Sequence, residues 1–188
     1  MNRAQIIELQ RRIGTTPDGF WGPKSIAACQ RHLRALMPAP NPWPGTSQAA
    51  LQRFYGSPGD SSQQTMIDVS GLGVRFSGQA VNRINCHRKV ADSLLAIIRE
   101  LATFPEGKHY LATYAGVYNN RPMRGGSLPS LHARAAAIDG DAARNGNRTA
   151  WPTRATMPIS VMEVFARYGW LSAGAFWGRD AMHFQATR

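Results

Sequence analysis

Two short stretches in the C-terminal half of the chain combine histidine and aspartate at close spacing. In SLHARAAAIDGD, His132 precedes Asp139 by seven residues, and in WGRDAMHFQ, Asp180 precedes His183 by three. Zinc accepts nitrogen and oxygen ligands, and a catalytic zinc site needs three protein ligands with one position left open. His132, Asp139 and His183 supply such a set, and we predict that they bind Zn²⁺. Asp180 then remains as the predicted catalytic base, because a nearby carboxylate can accept a proton.

The surroundings of Asp139 support this interpretation. Asp139 follows the run Ala-Ala-Ala-Ile, which predicts a short buried strand. A carboxylate at the end of a buried strand is costly unless it is paired or bound to a metal. An ion pair between Asp139 and Arg134 is the alternative. We also expect Asp180 and His183 to lie on one face of a helical turn, although an isolated D-x-x-H sequence is often only a surface turn.

Helices and strands are interspersed along the part of the chain that carries these residues. Apolar residues recur at helical spacing over residues 87–104 and again over 158–170. Strands are predicted over 109–120, which is rich in Tyr, Val and Thr, and over 135–139. This mixture predicts an α+β domain over residues 65–188. The expected buried stripes are Val90, Leu94, Ile97, Ile98 and Leu101, and then Val161, Val164, Phe165 and Tyr168.

Residues 1–40 predict a separate, small all-α helical bundle. Two amphipathic segments flank the connection TTPDGFWGPKS, where Asp18-Gly19 is typical of a turn. The following stretch PAPNPWPGTSQ contains four prolines and a glycine, which disfavour helix and strand. We place a linker at residues 41–64 and expect few contacts to cross it. The apolar positions of the two helices are Ile6, Leu9, Ile13, Ile26, Cys29, Leu33 and Leu36.

The composition favours a negatively charged partner. The chain has 22 basic and 11 acidic residues, giving a net charge of +11, so contact with an anionic wall polymer or outer-membrane surface is expected. No Lys/Arg tract or aromatic-basic repeat indicates a nucleic-acid partner. The two cysteines are too few for a disulfide framework. Cys86 and His87 form a rival metal site, but adjacent side chains rarely converge on one ion.

No apolar run approaches the length of a transmembrane helix, and the first ten residues lack the apolar stretch of a signal peptide. We therefore expect synthesis in the cytoplasm without a signal peptide. We also expect a monomer.

The motifs of residues 65–188 resemble the VanY-like zinc D-alanyl-D-alanine carboxypeptidases and L-alanyl-D-glutamate endopeptidases. The family pattern S-x-H-x6-D followed by [ED]-x-x-H is matched by Ser130, His132, Asp139, Asp180 and His183. The stretches YAGVYNNRPMRGG, SVMEVFARYGW and AMHFQ are also similar. The resemblance implies a fold of the DD-peptidase/Hedgehog-like type, which is a small antiparallel sheet with flanking helices. It also implies three zinc ligands, a catalytic Asp180 and substrate contacts from Ser130 and from Arg121, with Arg124 as the alternative arginine.

Two positions depart from the family pattern. Ala135 stands where relatives usually have glycine, and Asp180 stands where several relatives have glutamate. Aspartate at this place is found in the endopeptidase branch, which favours an endopeptidase here. The bond that is cut stays open between L-Ala–D-Glu, D-Ala–diaminopimelate and terminal D-Ala–D-Ala.

The N-terminal sequence LQRRIG…PDGFWGPKSIAACQ resembles a peptidoglycan-binding domain found in many cell-wall hydrolases. The resemblance implies that Phe20 and Trp21 contact the wall, whereas the alternative is that they hold the two helices together. Both resemblances together imply a modular bacteriophage endolysin that reaches the wall, in the periplasm, after the membrane is opened. The alternatives are a D-alanyl-D-alanine carboxypeptidase and a non-catalytic wall-binding protein.

Overall fold

The chain folds into eight α-helices and three small antiparallel sheets, and the computed structural model describes all 188 residues. This mixture confirms the prediction of an α+β fold. The helices are α1 (Arg3–Arg12), α2 (Pro23–Leu36), α3 (Gln48–Tyr55), α4 (Ala91–Leu101), α5 (Pro105–Ala112), α6 (Ala142–Asn145), α7 (Ile159–Arg167) and α8 (Ala173–Trp177). The strands are β1 (Gln64–Asp68), β2 (Arg75–Phe76), β3 (Gln79–Ala80), β4 (Arg83–His87), β5 (Tyr114–Gly116), β6 (Ala137–Gly140), β7 (Leu171–Ser172) and β8 (His183–Gln185).

The largest sheet has four strands in the order β5-β6-β8-β7, and every pair is antiparallel. Strands β1 and β4 form a second sheet, and β2 and β3 form a two-residue hairpin. In β6, Ala137 and Ile138 are completely buried, as expected for a strand in the middle of a sheet covered by helices. The central strands β6 and β8 therefore lie on a rigid core.

Helices α4 and α7 supply that core. The stripe predicted for α4 is confirmed, since Val90, which precedes the helix, and the four apolar residues within it are all buried. On α7, the ring of Phe165 stacks on Phe184 of β8 with centroids 3.9 Å apart. Burying one such side chain contributes about 1.5–3 kcal/mol. Helix α7 thus holds β8 in place through this contact.

Helices α1 and α2 confirm the predicted helical character of residues 1–40, and they pack on the rest of the molecule. The buried side chains of Leu9, Ile13 and Leu33 belong to one hydrophobic core shared with α4 and α7. This differs from the expectation that few contacts cross between the two parts. An apolar helix face of this size is stable only when it is covered, and α7 and α8 provide the cover.

A buried carboxylate joins α1 and α2 to α7. Glu163 on α7 accepts a hydrogen bond from Arg12 Nε at 2.8 Å and lies 2.8 Å from His32 Nε2. The predicted division of the chain into residues 1–40, 41–64 and 65–188 assigns a different role to each part, and these roles stay predictions.

The segment predicted as a linker, residues 41–64, contains α3 and lies against the core. Ser47 caps the first turn of α3 with its hydroxyl. Trp43, Leu51 and Tyr55 are buried in the shared hydrophobic core. The prolines do interrupt regular structure before Ser47, but α3 follows directly, so the segment is not an extended tether.

The predicted strand over residues 109–120 is wrong at its start. His109–Ala112 form the last turn of α5, and only Tyr114–Gly116 are extended. Pro105 occupies the first turn of α5, where its missing N–H costs nothing. This helix signal outweighs the strand preference of Tyr and Thr.

Candidate functional site

Asp139 and His183 are direct neighbours across two antiparallel strands. The register of β6 and β8 pairs Asp139 with His183 and Ile138 with Phe184. Opposed residues on antiparallel strands have their side chains on the same face, about 4.5–5.5 Å apart at Cβ. The sheet therefore brings together a carboxylate and an imidazole that are far apart in the chain.

His132 reaches the same place from a 3₁₀ turn, Leu131–Arg134, that precedes β6. The hydroxyl of Ser130 caps this turn by accepting a hydrogen bond from His132 N at 3.3 Å. Ala135 then adopts a left-handed conformation with φ of 52°, which turns the chain into β6. Glycine adopts this conformation at less cost than alanine.

The three predicted metal ligands form a tight triangle. His132 Nε2 lies 3.2 Å from Asp139 Oδ1 and 3.1 Å from His183 Nδ1, and His183 Nδ1 lies 3.0 Å from Asp139 Oδ1. Both imidazoles are buried, with 4% and 8% of their surface exposed. This buried cluster could hold a metal ion.

The outer nitrogens of the two imidazoles show which atoms are left for an ion. His132 Nδ1 lies 2.7 Å from the carbonyl oxygen of Val117, which can only accept, so Nδ1 donates. His183 Nε2 donates to Gln185 Oε1 at 3.1 Å, and Gln185 Nε2 donates to Thr187. In neutral imidazoles the inner nitrogens then carry lone pairs. Two lone pairs and a carboxylate oxygen within 3.2 Å repel one another unless a cation lies between them.

The imidazoles also favour the ionised form of Asp139. When an inner nitrogen of His132 or His183 carries a proton instead, it donates to Asp139; burial opposes ionisation of Asp139, but these hydrogen bonds more than offset it and lower the pKa of Asp139. Burial also opposes protonation of His183, yet its hydrogen bond to Asp139 raises the pKa of His183. The carboxylate is therefore ionised at neutral pH, as a metal ligand must be.

Asp180 lies beside the cluster and is not part of it. Its Oδ1 is buried and has no hydrogen-bond partner. Burial raises the pKa of Asp180, and the charge of His183 acts in the opposite direction. A carboxylate oxygen that is buried but unpaired is costly, and such groups are concentrated at functional sites.

The expected helical turn between Asp180 and His183 is wrong. Asp180 has a φ of 59°, and His183 begins β8. A tight turn joins them, in which His183 N donates to Asp180 O at 2.9 Å. Aspartate tolerates positive φ better than most residues, and a turn brings residues three apart together as well as a helix does.

A cavity of about 230 Å³ opens over the cluster. His132, Asp139, His183 and Asp180 line it together with both predicted substrate residues, Ser130 and Arg121. The Arg121 guanidinium donates to the carbonyl of Pro122 at 3.0 Å. Arg124, the alternative arginine, also lines the cavity. A wider depression of about 1070 Å³ lies between α1 and residues 156–160, without histidine or cysteine in its lining.

The two aromatic residues predicted to bind the wall differ in exposure. Phe20 is 71% exposed, whereas Trp21 packs edge-on against Trp151 with centroids 5.3 Å apart. Gln10 and Asp18 hold the turn before them, since Gln10 Nε2 donates to Asp18 Oδ1 at 2.8 Å. The Phe20 ring is therefore free to contact a partner, while Trp21 joins α2 to the rest of the fold.

Several residues of the site were not predicted. Gln185 could have been found, because strand alternation places it on the same face of β8 as His183. The carbonyl of Val117 has no side-chain signature. Trp177 at the end of α8 and Arg179 in the turn before Asp180 also line the cavity, and only the fold reveals these positions.

A scan against models of protein families, a search of curated proteins and a search of solved structures each found no match to this chain. No helix has both the length and the apolar character needed to cross a membrane.

Proposed function

We propose that this protein is a zinc peptidase that cleaves a peptide bond in the stem peptide or cross-link of bacterial peptidoglycan. The observation that carries the proposal is the convergence of His132 Nε2, Asp139 Oδ1 and His183 Nδ1 within 3.2 Å beside the unpaired Asp180. Two imidazoles and one carboxylate are the ligand set of several catalytic zinc sites.

A bound zinc ion supplies Lewis acidity, which lowers the pKa of water and polarises a carbonyl group. The residues of the chain provide the rest. His132, Asp139 and His183 hold the ion, and the carbonyl of Val117 and the amide of Gln185 orient the two imidazoles.

Asp180 acts as the general base in this proposal. Its unpaired Oδ1 accepts a proton from the attacking water and then delivers it to the nitrogen of the leaving amine. Because burial raises its pKa, the carboxylate is a stronger base than an exposed aspartate and accepts this proton more readily. A general base of this kind contributes about 10²–10⁴-fold to the rate.

The arginines at the cavity support an anionic substrate. Arg121, Arg124 and Arg179 all line it, and none of the three forms an ion pair with a carboxylate of the chain. Guanidinium groups bind carboxylates in a bidentate manner, and peptidoglycan stem peptides carry free carboxylates. An L-alanyl-D-glutamate or related endopeptidase is the activity that we favour, with a D-alanyl-D-alanine carboxypeptidase as the alternative.

The N-terminal helices would hold the enzyme on its polymeric substrate. The exposed ring of Phe20 and the net charge of +11 both suit an anionic wall with sugar faces for stacking. A wall-binding part and a wall-cutting part in one chain are the arrangement of a modular endolysin, which is the biological role that we propose.

Digestion of purified peptidoglycan tests the proposal. Metal analysis of active protein should find about one zinc per chain, and mass spectrometry of the digest should show new peptide termini that a chelator prevents. The mass of the products identifies the bond. The proposal would be contradicted if the bound metal were iron instead of zinc. It would also be contradicted if folded, metal-loaded protein left the peptidoglycan unchanged.

A further inference from the structure

The segment 48–59 forms hydrogen bonds to the chain on both sides of His132. This segment consists of α3 and the loop that follows it, and we call it the α3 brace. Three hydrogen bonds connect the α3 brace to residues that flank His132. They join Gln48 Nε2 to Pro129 O at 3.1 Å, Gly59 N to Ala133 O at 2.7 Å and Arg134 Nε to Gly56 O at 3.0 Å.

Arg134 is the most unusual of these contacts. Its side chain is only 4% exposed, and it forms no ion pair with a carboxylate. It donates to the carbonyl of Gly56 and, at 3.4 Å, to Gln52 Oε1, while its Nη1 has no partner. Burying a guanidinium without a counter-charge is costly. The buried guanidinium links the α3 brace to the backbone two positions after His132.

Tyr55 connects the α3 brace to the other histidine. Its hydroxyl donates to the carbonyl of Ala186 at 2.6 Å, and the ring is 1% exposed. Ala186 directly follows Gln185, whose amide orients His183. Through Arg134 and Tyr55, the α3 brace therefore contacts the two backbone segments that carry His132 and His183.

We propose that the α3 brace positions the metal ligands, with Arg134 and Tyr55 as positioning residues that never contact the ion. The inference depends on the metal site of the proposed function but not on the peptidase activity. Outer partners of metal ligands change metal affinity by about 10–100-fold when they are removed. Because Tyr55 acts through Ala186 and Gln185, we expect the lower end of that range for its hydroxyl.

Binding of Co²⁺ tests the inference, because its visible absorption spectrum depends on the geometry of the ligands. Tyr55→Phe removes one hydroxyl and keeps the ring between Phe54 and His87. Arg134→Met removes the guanidinium at similar length, and Arg134→Lys keeps the charge and one donor. Ser93→Ala is the control, since it also removes a partly buried hydrogen bond, from Trp170 Nε1 at 2.8 Å, but on α4 and away from the α3 brace.

We expect Tyr55→Phe to weaken Co²⁺ binding about tenfold and to alter the spectrum, at a temperature where the variant is fully folded by circular dichroism. Arg134→Met should weaken binding further, with Arg134→Lys between it and the unmodified protein. Ser93→Ala should leave both affinity and spectrum unchanged.

If Tyr55→Phe binds Co²⁺ with unchanged affinity and spectrum, the positioning inference is wrong, whatever Arg134→Met does. A loss shared equally by Ser93→Ala would show a general effect of stability and would also overturn it. Failure of the unmodified protein to bind Co²⁺ or Zn²⁺ would instead refute the metal site and with it the proposed function.

Discussion

Gln185 Oε1 lies 3.1 Å from His183 Nε2, and Gln185 Nε2 lies 2.6 Å from the hydroxyl of the fully buried Thr187. With the amide oxygen facing the imidazole, His183 Nε2 donates to it, and Nδ1 of the neutral imidazole is left free to bind an ion.

Gln185→Met tests this relationship, because methionine has a similar length and cannot accept the proton strongly. We expect metal affinity to fall by about 10–100-fold, since His183 is then free to adopt the other tautomer. A competition titration with a chromophoric chelator measures the change. Met182→Leu, a substitution beside His183 that leaves the amide in place, is the matched control and should bind metal normally.

Asp180→Asn separates the base from the ligands. Asparagine has the same size and also tolerates the positive φ of this position, so the fold and the bound zinc should be retained. Turnover should fall by about 10²–10⁴-fold. Asp139→Asn should instead lower zinc affinity, because it removes a charged ligand. Zinc content and peptide release, measured for both variants, distinguish the two roles. Loss of zinc from Asp180→Asn together with its retention in Asp139→Asn would reverse the assignment.

Glu163 makes stability depend on pH. Burial opposes its ionisation, but hydrogen bonds from Arg12 and His32 more than offset this and lower the pKa of Glu163 below its usual 4.5. A group with a lower pKa in the folded state stabilises the fold above its unfolded pKa, and this contribution is lost as the pH falls through the folded pKa. Urea unfolding should therefore show a loss of stability as the pH drops below about 4.5.

Glu163→Gln should remove this part of the pH dependence and cost about 1.5–3 kcal/mol at pH 7. Glu8→Gln is the control, because Glu8 pairs with Arg11 on the surface, and surface pairs contribute little. Equal effects of the two substitutions would show that α1 and α2 are not held to α7 by this carboxylate.

Phe20→Ala tests wall binding by the N-terminal helices. The ring is largely exposed, so its removal should not change the unfolding midpoint. Retention on insoluble peptidoglycan should weaken about tenfold if the ring is a central contact. Phe76→Ala, which removes another exposed phenylalanine, is the matched control. Unchanged retention of the Phe20 variant would assign wall binding to another surface.

The residues of the cluster could be predicted because the two short stretches together match the pattern S-x-H-x6-D followed by [ED]-x-x-H. Each stretch alone is a weak signal. The local conformation was harder to predict. The spacing of Asp180 and His183 fits a helix and a tight turn equally well, and only the positive φ of Asp180 distinguishes them.

The role of residues 41–64 could not be read from the sequence for a different reason. The proline content correctly predicted that regular secondary structure is interrupted in this segment. Whether Trp43 and Tyr55 are buried depends on residues that are distant in the chain, such as Trp170 beside Trp43 and His87 beside Tyr55. Carbonyl partners such as Val117 O could not be predicted either, because the backbone carbonyl group is the same in every residue.

The pairing of Asp139 with His183 across β6 and β8 also has a consequence for folding. A slip of one residue between the two strands would turn His183 away and present Phe184 in its place. An ion bound by both side chains would stabilise only the correctly aligned sheet. Metal binding would thus favour chains in which the two strands are correctly aligned.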